Sequence, residues 1–483
     1  MQRPLVVLLL AAGLSLPATA PVAAQDGGGG LGGGNAGGMG GDSGEPPNDS
    51  SKPLPIRVNQ AIDSGVLWLM RKNKWGPEKE KVFIGAAGNW SDEVTGNRLY
   101  DPNAKGDVYV HPTGCTALSL YALLKSGVPK DDPVIKKGFQ WLRGGSAAMV
   151  KGGSTKRMIV NNRIPGGTYE IAVLILALEA KANPHKREKE RERDLKFRLK
   201  KGEKLKLSVK LDPEDEPWMK ELVDALKKRL VGGSGWRYGM WNGTGWHNGT
   251  RGDKDLSASN LAMLAIAAAE RCGFQQEGSL YAGVLKWTLG MQEKEGPEVE
   301  RWEPGSKQSE EDARYGPRPK DHARGFGYTG IDVPADRDPE KEKVPTGSMT
   351  CCGLANILIC TSFLEARENP LLTPDLAAKA EKAWWDGVAW LDFHWSVTDN
   401  INKSNYHYYY LYCLERACDL KGINLLANHP WYNEGAQVLV DDQNFTNSGA
   451  WTKNDTHGPH EVLNTCFALL FLNRATPAIT GDD

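Results

Sequence analysis

The sequence predicts an all-α chain wound into an (α/α)6 toroid, an inner and an outer ring of six helices each, with a small β-hairpin inserted. Two observations predict it: a two-helix unit that recurs along the chain, and a difference in patterning between its two members. The first member carries Gly and then Trp, as in "SGVLWLM" (Gly65, Trp68), "KGFQWLR" (Gly138, Trp141), "AGVLKWTL" (Gly283, Trp287) and "DGVAWLDF" (Gly387, Trp390). The second is rich in small and apolar residues. It recurs at 114–127, 168–182, 255–273, 347–366, 405–422 and 459–475. Residues 217–230 and 434–444 supply first members for the third and sixth units. First members are amphipathic, with one wet face, whereas second members are apolar nearly all round and must be enclosed. Each enclosed helix is reached through an antiparallel outer one. The inner six therefore run parallel, and their N-termini gather at one rim.

Around this repeat the chain divides by composition. Residues 1–24 give Arg3, an apolar run and then small residues up to Ala24, the pattern of an export signal too short to span a bilayer. Residues 25–55 are a Gly/Ser/Pro-rich leash with almost nothing to bury. The toroid takes 56–476 and a short tail 477–483 follows. Two insertions interrupt it, at about 185–214 and about 294–345. In the first, "HKREKERER" (185–193) reads as a solvated charged surface. Beyond it, 195–211 alternates apolar and charged residues about Lys201-Gly202, a hairpin pattern. The second is rich in Glu, Lys, Pro and Asp and reads as a long loop over one rim. The expected location is periplasmic, cell-envelope or secreted, and no later stretch reads as a membrane span.

The formal net charge of −1 over 483 residues argues against nucleic acid as a partner, which leaves a basic footprint. Eight cysteines in an exported chain invite pairing. However, Cys115, Cys351, Cys352, Cys360, Cys413 and Cys466 fall in apolar helical segments, where free cysteine packs as a small hydrophobe. The tripeptide Arg251-Gly252-Asp253 reads as chance.

One stretch has the spacing Gly435-x3-Leu439-x3-Gln443-x5-Gly449-Ala450-Trp451, with shorter copies ending in Gly88-Asn89-Trp90, Gly235-Trp236 and Gly325-Phe326-Gly327-Tyr328. It resembles the QW motif of the squalene cyclase and protein prenyltransferase superfamily, with Glu434 where a basic residue is usual. The resemblance covers about residues 56–476. It is closest to uncharacterised exported bacterial proteins with prenyltransferase/squalene oxidase repeats. It implies the terpenoid cyclase fold and a hydrophobic, isoprenoid-like ligand in the central cavity.

The same resemblance singles out "DKDL" (253–256). Asp255 matches the middle, proton-donating position of the cyclase Asp-x-Asp-Asp motif and Asp253 the first, while Leu256 replaces the last. Against this stands a plain N-cap, in which Asp255 accepts backbone hydrogen bonds from the following helix and Asp255→Asn is nearly silent. The cap is the favoured reading. In prenyltransferases an Asp-x-Cys pair and a His hold zinc. Cys352 and His407 are the nearest counterparts, but Thr350 replaces the Asp and His407 lies two residues early relative to Cys413. No metal and no cofactor is expected. The thioester sequence of complement-type toroids is absent, which excludes that mechanism.

The remaining candidates lie at the starts of inner helices. Glu170, His460 and Glu461 are candidates for acid/base work. His111, Thr113, Tyr169, Asn260, Thr350, Cys352, Tyr406, His407, Tyr409 and Asn464 are cavity or ligand candidates. Six converging helix N-termini also favour an anionic ligand. Three functions compete: an isoprenoid-handling enzyme, a polysaccharide lyase or glycoside hydrolase, and a non-catalytic cell-envelope binding or scaffold module. An apolar cavity favours the first, an open carboxylate-lined groove the second, and a filled centre the third.

Overall fold

A computed structural model describes residues 50–74, 112–144, 149–152, 155–158, 163–165, 167–183, 209–237, 240–241, 246–247, 254–301, 319–329, 343–443, 449–452 and 461–474. Among these, the first members of the repeat are α1 (Leu54–Lys74), α3 (Pro133–Arg143), α5 (Glu216–Lys228), α7 (Gly278–Leu289), α9 (Pro374–Phe393) and α11 (Trp431–Asp442). The second members are α2 (Pro112–Lys125), α4 (Thr168–Ala182), α6 (Leu256–Arg271), α8 (Gly347–Glu365), α10 (His407–Lys421) and α12 (Glu461–Leu472). The even-numbered helices pack in the cyclic order α2, α4, α6, α8, α10, α12 and back to α2. That closed cycle is the inner ring, so the protein is an all-α (α/α)6 toroid.

Contacts between neighbours show the inner helices to be parallel. At one rim, Tyr169 in the first turn of α4 reaches Ser257 in the first turn of α6. At the other, Glu179 near the end of α4 bridges Lys125, the last residue of α2, at 3.7 Å and Arg271, the last of α6, at 3.1 Å. Burial pushes the fully enclosed Glu179 carboxyl up, but the two cations outweigh it and hold it below the ordinary range.

The repeat's glycines are close-approach positions. A Cβ on Gly65 would lie 2.8 Å from the Trp451 ring, one on Gly387 2.7 Å from Leu354, and one on Gly435 2.5 Å from Phe471. Outer helices can therefore seat on inner side chains. The QW-like stretch then ties helix to helix. Gln443 donates to the carbonyls of Ala61 (2.9 Å) and Gly449 (2.7 Å), and the fully buried Trp451 indole donates to Leu439 O. Gly449 turns the chain at φ +78°, a conformation glycine adopts at no steric cost. Two other repeats follow the same plan. Trp236 donates its indole N–H to Leu226 O, and Gln292 donates to the carbonyls of Arg324 and Ala383. In each, an inner-helix hydroxyl accepts the aromatic residue's backbone N–H: Ser259 from Trp236, Thr350 from Phe326, Thr465 from Trp451.

Two expectations need amending. The insertion at 294–345 is not wholly loop, because the strand Glu298–Glu300 pairs antiparallel with the strand Lys320–His322. That ladder is anchored to α9, where the fully buried Asp386 accepts from His322 N and pairs with Arg324. Helix α8 is long and apolar enough to cross a membrane by length and composition, contrary to the sequence reading. It is an inner-ring helix, with 78% of its apolar window buried in the protein. Short ladders also join 149–152 to 155–158 and 240–241 to 246–247. The hairpin expected at 195–211 falls mostly outside the described residues, as do 1–49, His111, Asp253 and His460.

Candidate functional site

At the N-terminal rim, Asp255 is the N-cap of α6. Its Oδ1 accepts from Ala258 N and from Ser257 Oγ, both at 2.7 Å, while its Oδ2 faces Arg237 at 3.6 Å. The carboxylate is fully enclosed and Arg237 nearly so. Arg237 also lies over the Tyr328 ring at 5.7 Å. Tyr169 donates to Ser257 Oγ, completing a run Tyr169–Ser257–Asp255–Arg237 across two helix starts. The sequence offered Asp255 as cap or proton donor; in this geometry it caps a helix and balances a buried cation. Every Oδ1 contact is to a donor that an asparagine would also satisfy.

Other candidates are engaged locally. Glu170 bends back to accept from Gly167 N at 3.0 Å, the return half of a capping box. His407 Nε2 contacts Val397 O at 2.8 Å, and its Nδ1 lies 4.0 Å from Asp442. Asn260 donates to Asn356 Oδ1 (3.0 Å) and Cys352 O (3.3 Å), joining α6 to α8. Thr113 and Asn464 are buried, and Glu461 is half-buried at the first position of α12. The zinc-like trio does not converge as ligands. Thr350 accepts from Phe326 N, His407 is turned to Val397, and Cys352 lies beside Cys413.

Among the described residues, the inner helices meet through packed side chains in the middle of the ring. The buried side chains of Tyr121, Tyr412, Cys352, Cys413, Arg416 and Asn356 occupy it. Between Tyr121, Leu176, Leu264 and Tyr412 a cavity of about 10 Å³ remains, room for at most a single water. Among the described residues, the Asp/Glu/His/Cys group close enough to share an ion is Asp212, Glu214 and Asp215. Lys181 bridges all three, and Arg143 pairs with Glu214 and Asp215, so protein cations already neutralise it.

Among the described residues, several aromatic side chains reach the surface at the N-terminal rim. Tyr169, Tyr328 and Tyr409 are half-buried, and Tyr406 is exposed. Tyr406 caps α10 in the left-handed conformation (φ 63°), a strained position for a bulky residue. Lys403 lies over the rings of both Tyr406 (5.7 Å) and Tyr328 (6.0 Å). The sequence reading missed Arg237, Tyr328, Lys403, Asn356 and Arg416. One signal was available: a lone Arg inside an enclosed helix, three residues after a Cys, has to serve some buried partner.

The fold and rim define an α/α toroid. No family model matches the chain, and no curated protein matches it. Among solved structures it is similar to a family 76 glycoside hydrolase from a bovine Bacteroides thetaiotaomicron strain. The TM-score is 0.45 with 10% identity, covering 87% of this chain and 77% of that one. That is too loose a likeness to transfer a residue or a reaction.

Proposed function

We propose that the protein is an exported, non-catalytic binding module that holds a cell-envelope glycan across the N-terminal rim of the toroid. The observation that carries this reading is the packing of Tyr121, Tyr412, Cys352, Cys413, Arg416 and Asn356 in the middle of the ring, which among the described residues leaves the rim as the accessible surface. There the accessible groups are tyrosine rings with polar tips, which stack on sugar faces while their hydroxyls remain wet. Lys403, set between Tyr328 and Tyr406, and the converging helix N-termini favour a glycan bearing carboxylates. Asp255 and Glu170 serve as caps, which argues against these two as an acid/base pair.

The test is co-sedimentation of the mature chain with insoluble peptidoglycan and with immobilised acidic polysaccharide, alongside a reducing-sugar assay. Binding without sugar release is expected. A Tyr406→Ala, Lys403→Ala variant is expected to weaken binding by about five- to tenfold, the scale of one lost ring contact. Release of reducing ends would make the protein a hydrolase or lyase. An isoprenoid co-purifying at one per chain would restore the cyclase-like reading.

A further inference from the structure

Deep in the inner ring, Cys352 of α8 and Cys413 of α10 lie with their sulfurs 3.7 Å apart, both fully enclosed. Three further groups complete the cluster. Arg416 Nη2 donates to Cys413 Sγ at 2.7 Å and lies 4.0 Å from Cys352 Sγ. The Tyr409 hydroxyl is 3.6 Å from Cys352 Sγ and covers the pair on the rim side. Arg416 is itself fully buried. Its Nε and Nη1 have no hydrogen-bond partner, and its remaining contacts are the faces of Tyr412 (4.2 Å) and Tyr409 (5.7 Å). A buried guanidinium normally faces a carboxylate. This one faces a sulfur.

A guanidinium at this distance favours Cys413 as a thiolate. Burial pushes its thiol up, but the hydrogen bond from Cys352 and the Arg416 charge outweigh burial and bring it down to about 7. Cys352, hydrogen-bonded as the protonated partner, is pushed the other way. The other cysteines lack this setting. For Cys360, for example, enclosure alone raises the thiol.

We infer that Cys352 and Cys413 are a reversible dithiol–disulfide couple, an oxidation site joining two neighbouring inner helices and poised by Arg416. The oxidant is a disulfide of low molecular weight, which meets Cys413 as the chain folds or the ring opens, because both thiols are enclosed in the folded protein. The Cys413 thiolate attacks one sulfur of that disulfide, forming a mixed disulfide and expelling the first thiolate. Cys352 gives up its proton, and its thiolate attacks Cys413 Sγ and expels the second. The two protein thiols are oxidised by two electrons, and the external disulfide is reduced to two thiols. Closing the bond needs the sulfurs to approach from 3.7 Å to about 2.05 Å, between helices that already pack together. The disulfide is uncharged, so closure strips Arg416 of its anion and leaves a buried cation against ring faces alone. The charge pair therefore favours the reduced form and makes the disulfide easy to reduce, which distinguishes it from a structural staple. This inference stands apart from the glycan reading, since it concerns the ring interior.

The experiment titrates the full mature chain in glutathione buffers from fully reduced to fully oxidised. Equilibrium is approached both from folded protein and by refolding from reduced, unfolded chain, so that burial does not limit access. Samples are acid-quenched, alkylated and digested without reduction, and circular dichroism confirms the fold. The expected result is a linked peptide pair carrying Cys352 and Cys413, with its half-point inside the glutathione range. Arg416→Gln is expected to move the half-point at least tenfold toward the disulfide, and Arg416→Lys by less. If Arg416→Gln does not fold, the wild-type titration decides. Folded protein with both thiols free at every ratio would overturn the inference. So would a link that survives a large excess of reduced glutathione, or linkage of either cysteine to a different one.

Discussion

Removing the negative charge of Asp255 while keeping its shape separates the two tasks of that side chain. In Asp255→Asn, the amide oxygen still accepts from Ala258 N and Ser257 Oγ, so the cap survives. What is lost is the charge facing Arg237 at 3.6 Å, in a place where both side chains are buried. Breaking a buried pair from one side costs about 3–5 kcal/mol. The lower end, about 3 kcal/mol, applies here because Arg237 keeps the Tyr328 ring beneath it. Asp255→Ala also loses the cap, a further cost of about 1 kcal/mol. In an Arg237→Met background, Asp255→Asn should cost less than about 1 kcal/mol, giving a coupling of roughly 2 kcal/mol. With unfolding entropy of about 2.1 cal/mol/K per residue, a toroid of this size shifts by about 1 °C per kcal/mol, so urea titration is the sharper assay. The sequence alone predicted Asp255→Asn to be nearly silent; the Arg237 contact reverses that expectation. An Asn variant within about 0.5 kcal/mol of wild type, or no coupling to Arg237→Met, would refute the reasoning.

Other perturbations follow from the same contacts. Glu179 is held below its ordinary range by Lys125 and Arg271, so it adds stability above the unfolded carboxyl's titration near 4.5 that is lost as pH falls through the lower folded value. Between pH 6 and about pH 3, wild type should therefore lose more stability than Glu179→Gln, measured by denaturant midpoints; an equal loss would remove Glu179 as a contributor. Gly65→Ala puts a methyl 2.8 Å from the Trp451 ring and should destabilise by about 1–3 kcal/mol, despite alanine's better helix propensity; a stabilised variant would show that the ring moves aside freely. Gln443→Ala leaves the buried carbonyls of Ala61 and Gly449 without that donor and should cost about 1–3 kcal/mol by chemical denaturation.

The helical repeat was legible because its cause is local. A helix enclosed on all sides has to be apolar all round, and one lying on the outside has to keep a wet face, so the pattern of residues carries both position and ring. Gly435, Gln443 and Trp451 were legible only as a stretch resembling the QW motif; that Gly435 is a close approach to Phe471, Gln443 a backbone tie and Trp451 an aromatic cover is seen in the structure. Asp255 was half-legible: its place before an apolar run marks a cap, but nothing in the local sequence shows that Arg237 turns its charge onto it. The ring centre was not legible at all. Whether six apolar helices enclose a cavity or close on one another depends on how Tyr121, Tyr412, Asn356 and Arg416 meet from different repeats, residues up to several hundred positions apart. Cys352 and Cys413 likewise read as two small hydrophobes until α8 and α10 set them side by side with a guanidinium. Composition and periodicity fix which faces are buried. Only the tertiary structure decides which buried groups become partners, because hydrogen bonds and charge pairs depend on distances of a few ångströms that sequence spacing does not encode.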